Sequence, residues 1–474
     1  MTNEQVEQVR RAFRQLLPFA DAASKELPLK RLLRLSLFQV SVGMAIVLLT
    51  GTLNRVMIVE LGISAWIVGA MIAIPLISAP FRVLMGFRSD QHRSFLGWRR
   101  VPYIAFGTML QFGGLAIMPF ALILLSGDNT AGPEWLGPVA AAAAFLMTGT
   151  GVHMAQTAGL ALAADLAPED ARPRVVALLY VMLLVGMVIS ALSYGIMLAD
   201  FDKVRLIQVI QGTAVVTLIL NHVALWKQEP RNPELTKHGR PRISFADSWA
   251  RFRSNPTSAR LLVALGLGTA AFSMQDILLE PYGGEILGMS VGQTTALTAL
   301  LAGGTLGGFF LAAMFLARGA EPHRLAAWGV LTGVPAFSAI IFAAPLQSAA
   351  VFCFGTTLIG LGGGLFAVGT MTAAMALAQR GQSGLALGAW GAVQATAAGG
   401  AIALGSAVRD VVARLTSDGQ LGPALATPEI GYSVVYHLEI GLLFATLAVI
   451  GPLAKHASDP ATQNQKLGLS QFPS

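Results

Sequence analysis

The chain has 474 residues, of which 54% are hydrophobic and only 12% charged. Soluble domains carry about 25% charged residues, so this composition, with a mean hydropathy of +0.63, excludes a set of globular domains and predicts a polytopic membrane protein. The single cysteine, Cys353, excludes an internal disulfide framework, and the net charge of +7 is explained below by topology rather than by nucleic-acid binding.

Residues 1–34 are polar and basic, so no cleavable signal peptide is expected. Val6, Val9, Phe13 and Leu16 fall on one helical face, with Arg10, Arg11 and Arg14 on the other. This pattern fits a surface helix on lipid headgroups or a docking surface for a partner. Twelve apolar stretches follow, near 35–55, 64–87, 101–125, 137–163, 175–199, 204–226, 260–280, 291–316, 325–343, 349–377, 384–408 and 433–454. Most reach the ~20 residues that cross a ~30 Å hydrocarbon core. Backbone groups there must be satisfied internally, so the stretches are predicted to be helices.

The second predicted helix carries Arg82, close enough to its end to snorkel. The loop after it runs from Gly86 through Asp90 to Arg99 and Arg100. It resembles the loop motif of the major facilitator superfamily, with a longer spacing from Asp90 to the arginine pair than the usual pattern. Glycine permits close helix approach, and the aspartate can pair with arginine or cap a neighbouring helix. The expected role is gating or stability. In the fourth predicted helix, His153 and Gln156 are three apart and share a face, with His153 about 15 Å deep. Two readings stand for it: a hydrogen bond to a neighbouring helix, or a proton relay or axial ligand to a metal centre. Gln39 and Gln394 read as interhelical bonding groups.

The segment 227–259 contains four prolines and separates six predicted helices from six more. Phe245, Trp249 and Phe252 within it recur at helical spacing and suggest a short interfacial helix. With the N-terminus and the even-numbered connections in the cytoplasm, that side holds 26 of the 32 Lys and Arg residues. Both termini are therefore expected inside. The expected organisation is an N-terminal segment 1–34, a six-helix bundle 35–226, a central loop 227–259, a second six-helix bundle 260–454 and a tail 455–474. A shift of 213 residues aligns Gly151 with Gly364, Thr157 with Thr370 and Gly186 with Gly399. Such a 6+6 pseudo-repeat is the build of the major facilitator superfamily, so the fold class expected is an all-α polytopic membrane protein of that kind, with twelve transmembrane helices.

Residues 274–288 end the seventh apolar stretch and put Asp276 and Glu280 one helical turn apart. Carboxylates are costly in a bilayer and are usually kept for a reason. Pro281 disfavours helical geometry at Glu280, so the helix is expected to end there. Glu280 is then solvated at the interface, and Pro281, Tyr282, Gly283 and Gly284 form a rigid turn with an interfacial aromatic. Asp276, about 6 Å deeper, is the interior candidate and is expected to be protonated or paired, with Arg55 as partner. Glycines 303, 304, 307 and 308, with pairs at 360/364 and 384/388, predict tight helix crossings or smooth walls against a flat apolar ligand. No phosphate-binding loop, zinc-protease helix, C-x-x-C pair or hydrolase elbow occurs, so neither an ATP-driven pump nor an enzyme is expected.

Leu-Phe-Gln-Val-Ser-Val-Gly-Met at 37–44, Gly-Thr-Leu-Asn-Arg-Val-Met-Ile-Val-Glu at 51–60, Asp-Leu-Ala-Pro-Glu-Asp-Ala-Arg-Pro-Arg at 165–174 and Gln-Asp-Ile-Leu-Leu-Glu-Pro-Tyr-Gly-Gly at 275–284 resemble the PucC/LhaA family of light-harvesting assembly factors. This is a bacteriochlorophyll-delivery branch of the major facilitator superfamily in purple phototrophic bacteria. The resemblance covers roughly residues 25–455. It implies a multi-pass protein of the bacterial inner or intracytoplasmic photosynthetic membrane, without catalysis. It implies antenna polypeptides, bacteriochlorophyll or its synthesis machinery, and membrane lipids as partners, and bacteriochlorophyll as bound cargo. No free metal ion is expected, and His153, Gln156, Asp276, Glu280 and Tyr282 become the candidate pigment contacts, with His153 as axial ligand to magnesium. The alternative is a secondary, proton-coupled transporter of a small solute using Asp276 or His153. This rests on fold alone.

Overall fold

The computed structural model describes residues 27–77, 89, 97–126, 133, 135–168, 172–231, 256–377 and 383–456. The described chain is helical throughout, with eleven helices long and apolar enough to span a membrane and a shorter apolar one. They are α1 (Leu29–Glu60), α2 (Ala65–Ile77), α3 (Val101–Leu125), α4 (Leu136–Leu166), α5 (Arg172–Met197), α6 (Lys203–Leu225), α7 (Thr257–Glu285), α8 (Val291–Ala317), α9 (Pro322–Ala343), α10 (Ala349–Leu377), α11 (Ser383–Ser417) and α12 (Ile430–His456). Gly86, Asp90, Arg82, the N-terminal amphipathic pattern and the Phe245–Trp249–Phe252 pattern lie outside the described residues.

Two helix starts differ from expectation. α1 begins at Leu29 rather than near 35, because Arg31 and Arg34 are not a solvated charge run. Arg31 donates to the Gln228 side chain at 3.0 Å and to its carbonyl at 2.6 Å, and Arg34 to the Trp226 carbonyl at 2.8 Å. The guanidinium groups thus satisfy the end of α6, where helix carbonyls lack intrahelical partners. α7 begins at Thr257, inside the segment expected to be loop, directly after Pro256; proline is tolerated at a helix start, where its missing N–H would be unbonded anyway.

Helix α1 packs on α5 and α6, α6 packs on α3, α4 packs on α3 and α2, and α7 to α12 pack in a second set. The pairs α2–α11 and α5–α8 join the two sets. Cβ-less positions set the closest crossings: a Cβ on Gly151 would stand 2.3 Å from the Gln111 nitrogen of α3, and one on Gly292 would stand 2.5 Å from the Gly195 oxygen of α5. Backbones can approach this closely only where no side chain intervenes.

Bonds between the two sets gather where α1 and α7 end, hereafter the far end. There the Asn54 amide donates to the Ile277 carbonyl at 2.8 Å, and Thr52 and Thr295 hydroxyls meet at 3.5 Å. The backbone N–H of Trp66, in the first turn of α2, donates to the Asp410 carboxylate of α11 at 2.9 Å. An acidic side chain on the bare N–H groups of a helix start is favourable by both hydrogen bonding and the helix dipole.

Candidate functional site

The second half of α7 is not a continuous helix. Regular turns stop at Ser273, a tight 3-10 turn covers Met274–Ile277, and a new segment runs Leu279–Glu285. No proline or glycine sits in the tight turn. The cause is a partner, Glu439 of α12, whose carboxylate is fully buried and accepts the Gln275 backbone N–H at 2.8 Å. A break that frees backbone donors in an apolar interior is tolerated when another helix re-satisfies them. Glu439 supplies that cap.

This restart corrects three expectations. Pro281 falls in the first turn of a new helical segment, where it is tolerated, so the helix continues to Glu285. Glu280 is consequently buried, 3% exposed, rather than solvated. Its Oε1 accepts the Thr298 hydroxyl of α8 at 2.6 Å, and a Cβ on Gly51 of α1 would stand 2.4 Å from that oxygen. Tyr282 is a core aromatic, not an interfacial one. Its ring is 5.2 Å from Phe352, 5.4 Å from Tyr432 and 5.7 Å from Tyr436, the last two edge-on. Gly283 and Gly284 serve close approach inside that helix. A Cβ on Gly284 would stand 3.1 Å from two Arg55 guanidinium nitrogens, and one on Gly283 would stand 3.1 Å from Thr294 Cγ2.

Arg55 is buried and pairs with Glu60, not with Asp276. Residues five apart do not face each other on an α-helix, but α1 widens to π-type turns over Val47–Thr52 and Val56–Glu60, and these bring position i+5 into register. Arg55 also reaches the Met289 carbonyl at 3.4 Å and interacts electrostatically with Glu280. Asp276 is partly buried and accepts from the Gln275 side-chain amide at 2.5 Å.

Beyond these lies an ionic lock absent from the sequence expectations. Arg409 of α11 donates to Glu285 at 2.6 Å, to Asp410 at 2.9 Å and to the Tyr432 hydroxyl at 3.0 Å, with its guanidinium 4.7 Å over the Tyr432 ring. Tyr432 in turn donates to Glu285 at 2.7 Å. The group ties α7, α11 and α12 together, and through Asp410 it holds α2. Glu439 and Glu285 were legible by the rule that singles out Asp276, a carboxylate in or beside an apolar run, whereas their partners were not.

His153 and Gln156 sit apart from this cluster, on α4, which packs on α3, α2, α1 and α5. Gln156 donates to Gln39 of α1 at 3.4 Å, the interhelical reading for both residues. His153 is partly buried, and its carbonyl accepts the Thr157 hydroxyl at 2.7 Å. The structure therefore brings Asp276, Glu280 and Tyr282 into one region and leaves the α4 pair in another.

Arg99 and Arg100 serve the opposite end. Arg100 pairs with Asp165 at 3.0 Å and donates to Ser89 at 2.5 Å, and Arg99 reaches Asp165 at 3.4 Å. The start of α3 is capped by Glu229, which accepts the N–H groups of Arg99, Arg100 and Val101 at 2.7, 3.1 and 2.8 Å. Neither acidic partner was expected there, because each comes from a distant segment.

Comparison with known proteins supplies the context. The chain is 57% identical over 464 residues to "Uncharacterized protein in puhA-bchM intergenic region" of Rhodobacter capsulatus, covering 96% of this chain and 97% of that protein. It is 59% identical over 401 residues to "Protein PucC" of Rhodovulum sulfidophilum, covering 84% and 88%. A more distant relative, 29% identical over 398 residues and covering 81% and 88%, is "Bacteriochlorophyll synthase 44.5 kDa chain" of Rhodobacter capsulatus. Among solved structures, an inward-facing bacterial homolog of the lysosomal transporter Spinster superposes with TM-score 0.65 at 15% identity, covering 90% of this chain and 96% of that one. A bacterial homologue of the iron transporter ferroportin gives TM-score 0.63 at 15% identity, covering 90% and 99%. These place the fold among transporters of the major facilitator type. The family model described as PUCC protein matches residues 52–458, and the chain belongs to the PucC family.

Proposed function

We propose that the protein is an assembly factor for bacterial light-harvesting antenna complexes, delivering bacteriochlorophyll to antenna polypeptides. It would act in the inner or intracytoplasmic photosynthetic membrane, with both termini in the cytoplasm and without catalysis of its own. The observation that carries this reading is the family match across residues 52–458, with a relative named for bacteriochlorophyll synthesis aligned over most of both chains. The site geometry agrees with it. Glu280 is engaged by Thr298, Glu439 by the Gln275 backbone N–H and Glu285 by Arg409, so these carboxylates brace helices rather than line a hydrophilic solute path. The test is a deletion strain combined with purification from pigmented membranes. Near-infrared antenna absorption is expected to fall several-fold, and the purified protein is expected to carry extractable bacteriochlorophyll. Normal antenna in the deletion strain and a pigment-free preparation would together overturn the proposal.

One observation favours a second reading, proton-coupled carriage of a small solute: Asp276 is partly buried beside the helix break and is bonded there to Gln275. Intramembrane ionisable groups often mark proton relays. On this reading, proteoliposomes would show proton-driven uptake that Asp276→Asn abolishes; uptake unchanged by that substitution would remove it.

A further inference from the structure

We infer that His437, on the outward face of α12, is a docking ligand for a magnesium tetrapyrrole, an inference that rests on the pigment-delivery reading. α12 buries Tyr432, Val435, Tyr436, Glu439, Leu443, Thr446 and Ile450 against its neighbours, which are α7, α9 and α11. The opposite stripe exposes His437, Leu438, Gly441 and Phe444. His437 is seven residues into the helix, about 10 Å from its first residue. An imidazole turned outward among apolar side chains at that depth is costly unless it has a use.

Its bonding fixes what it presents. Nδ1 lies 2.7 Å from the Ser433 carbonyl oxygen. A carbonyl only accepts, so Nδ1 carries the hydrogen, and the neutral ring keeps its lone pair on Nε2. Histidines that bind metals are held in this way, with the second nitrogen donating to a carbonyl or carboxylate. Nε2 is thus a ready axial ligand for a five-coordinate magnesium. One turn on, a Cβ at Gly441 would meet nothing within 4 Å, so the helix surface beside the imidazole is flat and open. Leu438 and Phe444, 43% and 57% exposed, flank it with apolar surface. The combination suits a planar, apolar macrocycle with a Lewis-acidic centre.

His222 of α6 shows why exposure alone does not make such a site. It is exposed and its Nδ1 faces the Leu218 carbonyl at 2.9 Å, but it stands in the last turn of its helix, beside exposed Trp226 and Lys227. At a water interface an exposed histidine needs no ligand.

The experiment titrates bacteriochlorophyll a into the full-length protein in mild detergent, read by near-infrared absorption and by the resonance Raman marker of magnesium coordination. Wild type and His222→Leu are expected to bind with the five-coordinate signature. His437→Leu is expected to bind at least ~10-fold more weakly, the scale on which ligand-shell losses act. His437→Gln, which can ligate through its amide oxygen, should recover part of the affinity. Bacteriopheophytin a, which lacks magnesium, should not distinguish wild type from His437→Leu. Monodisperse elution of the variants establishes that they fold. Equal affinity and an unchanged Raman marker in both His437 variants would overturn this site while leaving pigment delivery standing. A wild-type protein that takes up no bacteriochlorophyll would overturn both.

Discussion

Glu439→Ala is expected to destabilise the protein by ~1–3 kcal/mol. The carboxylate is fully buried and holds the backbone N–H of Gln275 at the break in α7. Deleting it strands that donor in an apolar interior, where an unpaired buried polar group costs about 1–3 kcal/mol. No water is available in a hydrocarbon layer to replace the acceptor. Glu439→Gln keeps an acceptor oxygen at the same place and is expected to lose ~1 kcal/mol or less. The pair of variants therefore separates the cap from the charge. Thermal unfolding of the detergent-solubilised protein, followed by loss of the monodisperse peak, is the measurement. An alanine variant that melts with the wild type would show that the break is held by something other than α12.

The consequence reaches Tyr282 and Glu280. Both are placed by the segment Leu279–Glu285, whose starting angle is set at the tight turn that Glu439 caps. Loss of the cap lets α7 run on as a regular helix, which would rotate Glu280 away from Thr298 and Tyr282 out of its aromatic neighbours. The far-end contacts between the two helix sets depend on the same segment, since the Asn54 amide bonds the Ile277 carbonyl of the tight turn. A single acidic residue of α12 thereby sets the geometry where α1, α7 and α8 meet.

This region also shows what could be read from the chain and what could not. The apolar runs were legible because a hydrocarbon layer demands about 20 apolar residues per crossing, and the helices fall close to the runs read from sequence. The carboxylates of α7 were legible as exceptions to that demand. Their roles were not. Pro281 argued for a helix end at Glu280, an inference that holds when the preceding turns are regular. Glu439, far away in sequence, makes the preceding turn tight, and a helix restarted at Leu279 accommodates the proline. Arg55 pairs with Asp276 on the sequence because both fall at the same interface, whereas π-type turns that regular helical spacing hides deliver Glu60 instead. In each case the missing information was a local departure from helical geometry that only tertiary packing decides.

Two of the glycine pairs, 304/308 and 360/364, gave the opposite experience, whereas 303/307 lies off the crossing, and the largest expected effect of any substitution follows from the first two. A Cβ on Gly360 of α10 would stand 2.1 Å from the Leu301 oxygen of α8, and one on Gly304 would stand 2.2 Å from the Thr357 oxygen. Gly308 and Gly364 repeat the contact one turn on, at 2.5 Å from the Leu361 oxygen and 2.7 Å from the Thr305 oxygen. All four obstacles are backbone atoms, which cannot rotate aside. Gly360→Leu and Gly304→Leu must therefore push α8 from α10, forfeiting the close crossing along its length. Overpacking a well-packed interior typically costs about 1–3 kcal/mol, occasionally more, and a leucine meeting backbone at this range belongs at or above the top of that span. The displaced α8 has no slack on its other side, because Gly292 at its start already sits 2.5 Å, by the same Cβ measure, from the Gly195 oxygen of α5. Loss of folded protein is expected for both variants. Gly303 is the control: it neighbours Gly304 in sequence, but it is exposed and a Cβ there meets nothing within 4 Å. Gly303→Leu should stay within about 0.5 kcal/mol of wild type, as surface changes do. Fluorescence-detected size-exclusion chromatography of the three variants decides the matter. Gly360→Leu and Gly304→Leu eluting like wild type, with wild-type melting, would mean that α8 and α10 are not in backbone contact.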